Sequence, residues 1–269
     1  MTTKGDDVDT VTSADGTAIA YERTGDGPPV VLVAGALTTR RSLAPLAASL
    51  RDRGTIYAYD RRGRGDSGDT PPYAVARELE DLAAVIGAAG GRAAVYGHSS
   101  GAALALRAAV AGLPIDRLVL HEPPYGGDVA EEREAAAAFA AQLAAVLADG
   151  RDEDALVHFL ATAGTPPEAL DAMRADPWWA EGVALAPTLA HDVAVMGDAD
   201  GGALPAEAAR RVAVPTLVVS GATSPPFMAA AAERLAGLIP GARRAVLDGH
   251  GHEAPPEVVA PAVAPFLAG

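Results

Sequence analysis

The sequence contains no cysteine, and aromatic residues make up only 4% of it. The absence of cysteine excludes disulfides, thiolate metal sites and a cysteine nucleophile, so serine is the natural nucleophile to look for. Because 49% of the residues are hydrophobic and few are aromatic, we expect an interior built mainly from alanine, valine and leucine. Side chains of this kind suit a closely packed, layered fold.

Positive charge is also scarce, with 21 Lys and Arg against 35 Asp and Glu and a formal net charge of -14. This balance argues against nucleic acid or an anionic membrane surface as partner and favours a small neutral or cationic molecule. No apolar run approaches the roughly 20 residues that a membrane span needs, and the acidic amino terminus is unlike a signal peptide. We therefore expect a cytoplasmic protein with a small-molecule substrate, of undetermined oligomeric state.

Short β-rich runs alternate with alanine-rich stretches, a pattern that predicts an α/β fold with a mostly parallel sheet between helices. Asp15-Gly16 is a two-residue hairpin signal, so residues 8–13 and 17–23 are predicted to open the sheet as antiparallel strands. Six short apolar runs predict the buried strands that follow, at residues 30–33, 55–59, 93–96, 117–120, 215–219 and 243–247.

Residues 128–204 interrupt this alternation. The span is rich in alanine, leucine and glutamate and has no convincing strand, so we interpret it as an inserted helical cap. Residues 1–127 and 205–269 then form the core domain. Within the span, Trp178-Trp179 is expected to be a packing pair of the cap, with an apolar wall of a ligand cleft as the alternative.

The segment Gly97-His-Ser-Ser-Gly101 follows the predicted strand at 93–96 and leads directly into a helical sequence. This is the G-x-S-x-G pattern in a strand-turn-helix context, in which a sharp turn exposes the serine Oγ and the glycines let strand and helix approach closely. The amino terminus of the helix also favours negative charge that develops nearby. Ser99 is therefore the candidate nucleophile, and a purely structural turn is the alternative.

Two further motifs precede this turn in the sequence, and a third follows it. They are Val30-Val-Leu-Val-Ala-Gly-Ala36, Asp60-Arg-Arg-Gly-Arg-Gly-Asp-Ser67 and Gly249-His-Gly-His252. With the serine turn they resemble the α/β-hydrolase superfamily over essentially the whole chain. The resemblance implies an α/β-hydrolase fold, with a mostly parallel twisted sheet, helices on both faces and a helical cap. It also implies serine-dependent acyl chemistry with no cofactor and no metal.

The oxyanion hole is assigned by the same resemblance. The family's oxyanion loop usually contains His-Gly, where this chain has Ala34-Gly35. By position, the amides of Ala36 and Ser100 should form the oxyanion hole, and backbone N–H groups can do this without the histidine. The loop at residues 60–67 resembles a D-x-R-G-x-G-x-S motif that is structural in most members.

The general base is expected in the loop that resembles the family's G-x-G-H motif. A serine at its ordinary pKa is a poor nucleophile and needs such a base, and the register of the motif selects His252. His250 is the main alternative. His98, at the variable position of the serine turn, is expected to support the loop, and the other histidines are expected to be structural or solvent-facing: His121, His158 and His191.

The acid departs from the usual family pattern. Many members carry an aspartate after the strand that corresponds to 215–219, but residues 220–226 contain no carboxylate. Some members take the acid from the end of the preceding strand, where this chain has Glu122. A carboxylate is needed to fix the histidine tautomer and stabilise the imidazolium, so Glu122 is the predicted acid. The alternatives are Asp248, or a dyad in which Glu122 pairs with an arginine.

Two further patterns are discounted. Residues 63–68 match G-x-G-x-x-G, but no helix is predicted to follow them and Asp66 would repel phosphate. A metal group of Asp248, His250, His252 and Glu253 matches no helical zinc motif. Neither a dinucleotide nor a metal ion is therefore expected.

Together, the motifs predict a serine hydrolase that cleaves a small ester or lactone through Ser99, His252 and Glu122. Thioester, amide or carbon–carbon bond hydrolysis and intramolecular acyl transfer use similar machinery and remain alternatives. A non-hydrolytic small-molecule-binding homologue is the alternative from another class, because the aspartate and the oxyanion-loop histidine are both missing.

Overall fold

The computed structural model describes residues 8–126, 129–197 and 202–268. Its strands form one eight-stranded sheet in the order β1-β2-β4-β3-β5-β6-β7-β8. They are β1 (Asp9–Thr12), β2 (Ala18–Thr24), β3 (Pro29–Val33), β4 (Thr55–Tyr59), β5 (Ala93–His98), β6 (Ile115–His121), β7 (Thr216–Gly221) and β8 (Arg243–Leu247). The pairs β1·β2 and β2·β4 are antiparallel and the others are parallel, which confirms the predicted mostly parallel α/β sheet.

Helices cover both faces of this sheet and also fill the predicted cap span. They are α1 (Arg40–Leu50), α2 (Val75–Ala88), α3 (Ser100–Val110), α4 (Ala130–Ala148), α5 (Asp152–Thr162), α6 (Pro167–Met173), α7 (Trp178–Leu185), α8 (Leu189–Met196), α9 (Ala206–Ala209), α10 (Pro226–Leu238) and α11 (Pro256–Leu267). A 3₁₀ helix, Ala186–Thr188, joins α7 to α8. No helix among the described residues is long and apolar enough to cross a membrane.

The central strand β3 shows why the sheet is covered on both faces. Its alternate residues Val31 and Val33 pack into a core with α2, α3 and α10, whereas Val30 and Leu32 pack into a second core with α1 and α11. Side chains of successive strand residues point to opposite faces, so a strand that is apolar throughout needs a helical layer on each side. The continuous apolar run therefore produces the layered fold.

Helices α4 to α8 and the 3₁₀ helix, here called the cap helices, have an apolar cluster of their own. The buried members contributed by the cap helices are Leu143, Ala155, Leu156, Trp179, Leu185, Ala186 and Leu189. Leu37, from the loop after β3, belongs to the same cluster, and Trp179 lies within it as expected for a packing pair. The cap boundaries at residues 128 and 204 stay a prediction, and residue 128 lies outside the described part of the chain.

Strand register brings the candidate site together. Val33 pairs with Gly97, His98 with His121, and Gly221 with Leu247, so the carboxyl ends of these strands lie along one edge of the sheet. In open α/β sheets, ligands bind in the crevice at this edge. The loops that follow β3, β5, β6, β7 and β8 meet there.

Candidate active site

Ser99 lies at the sharp turn between β5 and α3. Its backbone has φ 55° and ψ −126°, a conformation that a residue with a side chain rarely adopts. A Cβ atom on Gly101 would lie 2.4 Å from the carbonyl oxygen of Val33, and one on Gly97 would lie 2.4 Å from that of Gly101. Only glycine fits at these two positions, and the turn therefore holds Ser99 in the strained conformation that the sequence pattern predicts.

Glu122 occupies the corresponding place on the neighbouring strand, directly after β6. Its side chain is buried, and its backbone also adopts a left-handed conformation, with φ 53°. Oε1 accepts hydrogen bonds from the amide of Gly221 at 2.5 Å and the hydroxyl of Ser224 at 2.8 Å. Oε2 lies 3.3 Å from Nδ1 of His252. Residues 220–226, which lack the family's aspartate, thus supply two hydrogen-bond donors to Glu122.

These contacts decide the charge of Glu122. Burial raises the pKa of its carboxyl group, but the hydrogen bonds from His252, Gly221 and Ser224 together outweigh burial and leave the pKa below its ordinary value. Among the described residues its hydrogen-bond partners include no arginine. The carboxylate is therefore ionised at neutral pH and faces His252.

His252 lies in the loop between β8 and α11 and is partly exposed. A carboxylate can only accept, so Nδ1 carries the hydrogen that points to Glu122, and Nε2 keeps a free lone pair. That tautomer is the one a general base requires. The ring of His252, rather than that of His250, faces Glu122. His250 contributes its carbonyl oxygen, which accepts from the amide of Thr223 at 2.9 Å. Asp248 is exposed.

His98 supports the loop that carries His252. Its Nε2 lies 3.1 Å from the carbonyl oxygen of His252 and must donate, since a carbonyl only accepts. Burial and the adjacent His252 lower the pKa of His98, which keeps its ring neutral. The ring centroids of His98 and His121 lie 4.9 Å apart, and Nδ1 of His121 is hydrogen-bonded to the hydroxyl of Tyr96 at 2.6 Å. The buried His121 is thus a structural residue.

The predicted oxyanion residues lie on the two sides of Ser99. Ser100 is the first residue of α3, and Ala36 belongs to the loop after β3. A Cβ atom on Gly35 would lie 3.0 Å from Cβ of Ser99, so this loop passes directly against the candidate nucleophile. The next residue, Leu37, has φ 54° and is buried against the cap helices. The structure therefore brings Ala36 and Ser100 into the immediate surroundings of Ser99.

The loop after β4 supplies buried arginines to this region. Arg61 donates to Glu78 at 2.6 and 2.8 Å and to Asp192 at 2.7 Å, and Arg64 donates to both carboxylate oxygens of Asp192 at 2.8 Å. The hydroxyl of Ser100 donates to Asp192 at 2.7 Å. Burial raises the pKa of Asp192, but the two arginines and Ser100 outweigh burial and lower it to about 2.

Sequence reasoning missed Asp192. Three arginines within the eight residues from 60 to 67 were a signal that buried carboxylates should be present, because buried charges need partners. The identity of the partner was not readable, since Asp192 is 128 residues from Arg64 in sequence. The glycines of the same loop have a local role: a Cβ atom on Gly65 would collide with the carboxylate of Asp60.

A metal could be considered at His98, His252 and Glu253, whose ligand atoms lie within 4.8 Å of one another. This group differs from the one considered in the sequence. However, Nε2 of His98 donates to a carbonyl oxygen and Nδ1 of His252 faces Glu122. One ring nitrogen of each histidine is therefore already engaged in holding the site together.

Comparison with known proteins identifies the family. The model of the alpha/beta hydrolase family matches residues 30–263. The chain belongs to the alpha/beta hydrolase family. An alpha/beta hydrolase from Sphaerobacter thermophilus is 48% identical with a TM-score of 0.86, and the match covers 96% of this chain and 99% of that one. The superfamily resemblance drawn from the four motifs is confirmed.

Two more distant alpha/beta hydrolase structures share the fold. A thermophilic esterase from Thermogutta terrifontis is 23% identical with a TM-score of 0.70, over 97% of this chain and 98% of the other. The enol-lactonase from Burkholderia xenovorans is 23% identical with a TM-score of 0.62, over 97% of this chain and 96% of the other. At this identity the likeness shows the fold alone.

Proposed function

We propose that this alpha/beta hydrolase cleaves a small-molecule ester or lactone through a Ser99-His252-Glu122 triad and a covalent acyl-enzyme. The observation that carries the proposal is the ionised, buried Glu122, whose Oε2 lies 3.3 Å from Nδ1 of His252. The amide of Ser99 donates to the carbonyl oxygen of His121, the residue before Glu122, at 2.9 Å, and Ser99 has the strained conformation expected of a nucleophile at such a turn. An esterase and an enol-lactonase share this fold, so the fold is compatible with either reaction.

In the proposed mechanism, Oγ of Ser99 attacks the substrate carbonyl carbon while Nε2 of His252 takes the hydroxyl proton. Glu122 stabilises the resulting imidazolium, and the amides of Ala36 and Ser100 stabilise the oxyanion. The imidazolium then protonates the departing alkoxide. Water, activated by the same nitrogen, hydrolyses the acyl-enzyme and restores Ser99. In a lactone, the leaving alcohol stays attached to the acyl group, and the product is a hydroxy acid.

The expected substrate is small and not strongly anionic. The side chain of Ala36, in the loop beside Ser99, is short, and the formal net charge of -14 disfavours an anionic molecule. The cap helices contact the oxyanion loop through Leu37, so the cap borders the site. We propose that the cap selects the acyl and alcohol groups.

The test is covalent labelling with a fluorophosphonate, followed by peptide mass spectrometry. We expect one adduct on Ser99 in the wild type and none in Ser99→Ala. The same proteins are then given short-chain p-nitrophenyl esters, γ- and δ-lactones, thioesters and anilides, with Ser99→Ala as the control for background hydrolysis. Preferential cleavage of thioesters or anilides would redirect the proposal to those bonds. An intact wild type that neither labels nor hydrolyses would refute serine hydrolysis and favour a binding protein.

A further inference from the structure

A buried network of four charged side chains connects the cap helices to the loops beside Ser99. It consists of Asp192 on α8, Arg61 and Arg64 in the loop after β4, and Glu78 on α2; we call it the Asp192 network. All four side chains are buried. Two guanidinium groups face two carboxylates, so the network is electrically balanced, as buried charges must be.

On one side of the oxyanion hole, the network holds Ser100. The hydroxyl of Ser100 donates to Asp192 at 2.7 Å and accepts from Nη1 of Arg61 at 3.2 Å. The amide of the same residue is a proposed oxyanion donor. The side chain of Ser100 is therefore fixed by two charged groups at the place where its amide must point to the reacting carbonyl.

On the other side, the network holds the peptide that joins Gly35 to Ala36. Arg64, paired with Asp192 through Nη2, donates from Nη1 to the carbonyl oxygen of Gly35. The hydroxyl of Thr38 donates to the same oxygen at 2.8 Å. A peptide unit is planar, so the orientation of the Gly35 carbonyl fixes the direction of the Ala36 N–H. That N–H is the second proposed oxyanion donor.

We infer that Asp192 is a positioning residue for the oxyanion hole, through which the cap helices control transition-state stabilisation. This inference rests on the proposed function. The hydrogen-bond partners of Asp192 are Arg61, Arg64 and Ser100. Asp192 fixes Arg64 and Ser100, and these fix the directions of two amides. Such donors act on charge that develops in the transition state, so their misplacement lowers kcat and leaves KM nearly unchanged.

The chain offers a matched control in the same loop. Arg62 is also buried and donates to both carboxylate oxygens of Asp81 at 2.8 Å. Its other contacts are with Asp15 and the carbonyl oxygen of Arg77, away from the oxyanion loop and α3. Asp81→Asn therefore disrupts a buried ion pair of the same kind without disturbing the proposed donors.

The experiment compares Asp192→Asn and Asp81→Asn with the wild type on the ester that the wild type hydrolyses. Each protein is assayed for kcat, KM, thermal unfolding and inhibition by a trifluoromethyl ketone, whose adduct with a serine bears an oxyanion. Removing one oxyanion donor costs roughly 10²–10³ in kcat, so misplacing the donors should cost about 10- to 100-fold. We expect that loss in Asp192→Asn, with KM within about 3-fold and a parallel loss of inhibitor affinity.

Asp81→Asn should lower the unfolding temperature but keep kcat within about 2-fold of the wild type. Equal losses of kcat in the two variants, or a change of KM alone in Asp192→Asn, would overturn the inference. If Asp192→Asn does not fold, Arg64→Lys decides, because lysine keeps the charge but lacks the planar fork that directs one nitrogen to Asp192 and the other to Gly35. We expect about a 10-fold loss of kcat there, and an unchanged kcat would overturn the inference.

Failure of the positioning role and failure of the proposed function give different results. A wild type that hydrolyses esters while Asp192→Asn does so equally well contradicts the positioning role and leaves the proposed function standing. A wild type that neither labels with fluorophosphonate nor hydrolyses any ester contradicts the proposed function, and the positioning role falls with it.

Discussion

Replacement of Glu122 by glutamine tests the unusual position of the acid with almost no change of shape. The carbonyl oxygen of the glutamine can still accept from Gly221 and Ser224, which now contact Oε1 at 2.5 and 2.8 Å. Its NH₂ group then faces Nδ1 of His252. Two donors cannot face each other, so the imidazole must place its hydrogen on Nε2. In that tautomer, His252 cannot accept the proton of Ser99.

The magnitude follows from the geometry. A full negative charge 3.3 Å from Nδ1 stabilises the imidazolium by about 5 kcal/mol at an effective dielectric constant of about 20. Each ~1.4 kcal/mol corresponds to a factor of ten in rate. The charge alone therefore accounts for roughly 10³- to 10⁴-fold in kcat, close to the effect of an acid-to-amide change in a serine protease triad. KM should change little, because the imidazolium forms only during the reaction.

The assay is kcat and KM on the preferred ester, together with the rate of fluorophosphonate labelling and the circular dichroism of each variant. Ser224→Ala is the control: it removes one hydrogen bond to Glu122 but keeps the charge, so we expect a loss of less than about 10-fold. A folded Glu122→Gln protein whose kcat is within about 10-fold of the wild type would refute the role of Glu122. The acid would then have to come from elsewhere, or the pair would work as a dyad.

Further predictions concern the turn at Ser99, the Asp192 network and the loop that carries His252. Gly101→Ala should destabilise the protein by about 1–3 kcal/mol and slow labelling of Ser99, whereas Gly87→Ala, with open space around it, should be neutral or stabilising; urea unfolding measures both. Because folding lowers the pKa of Asp192 from 3.8 to about 2, the stability that its ionisation contributes, about 2 kcal/mol, is present at neutral pH and lost as the pH falls from about 4 to 2. Urea unfolding at several pH values should show that Asp192→Asn loses less stability than the wild type as the pH falls, and equal losses would contradict this. His98→Phe removes the hydrogen bond to the carbonyl of His252 and should lower kcat by about 10-fold with little effect on stability; an unchanged kcat would count against the supporting role.

Local patterns made most of the fold predictable. The hairpin at Asp15-Gly16 and the six apolar runs coincide with the observed strands, because side-chain alternation and turn chemistry act over a few residues. The run at 93–96 continues to His98 as β5, since the strand extends up to the residue before the serine turn. The conformation of Ser99 was predictable for the same reason: Gly97 and Gly101 impose it locally.

Contacts between distant parts of the chain were not predictable in the same way. Ser224 is 102 residues from Glu122, and nothing in the sequence of its loop marks it as a donor to that carboxylate. Asp192 reads as an ordinary surface residue of an amphipathic helix until the fold places it against two buried arginines. Such partners are set by the packing of segments that are far apart in sequence, which periodicity does not encode.

The position of His252 links the proposed catalysis to one edge of the sheet. The elements that carry Ser99 and Glu122, β5 and β6, lie inside the sheet, whereas β8, which leads into the loop of His252, is an edge strand paired with β7 alone. Edge elements open locally at a lower free energy than the core does. A fluctuation that detaches β8 would withdraw the proposed base and leave the other half of the site folded. Enzymatic activity would then disappear at a lower denaturant concentration than the bulk of the secondary structure.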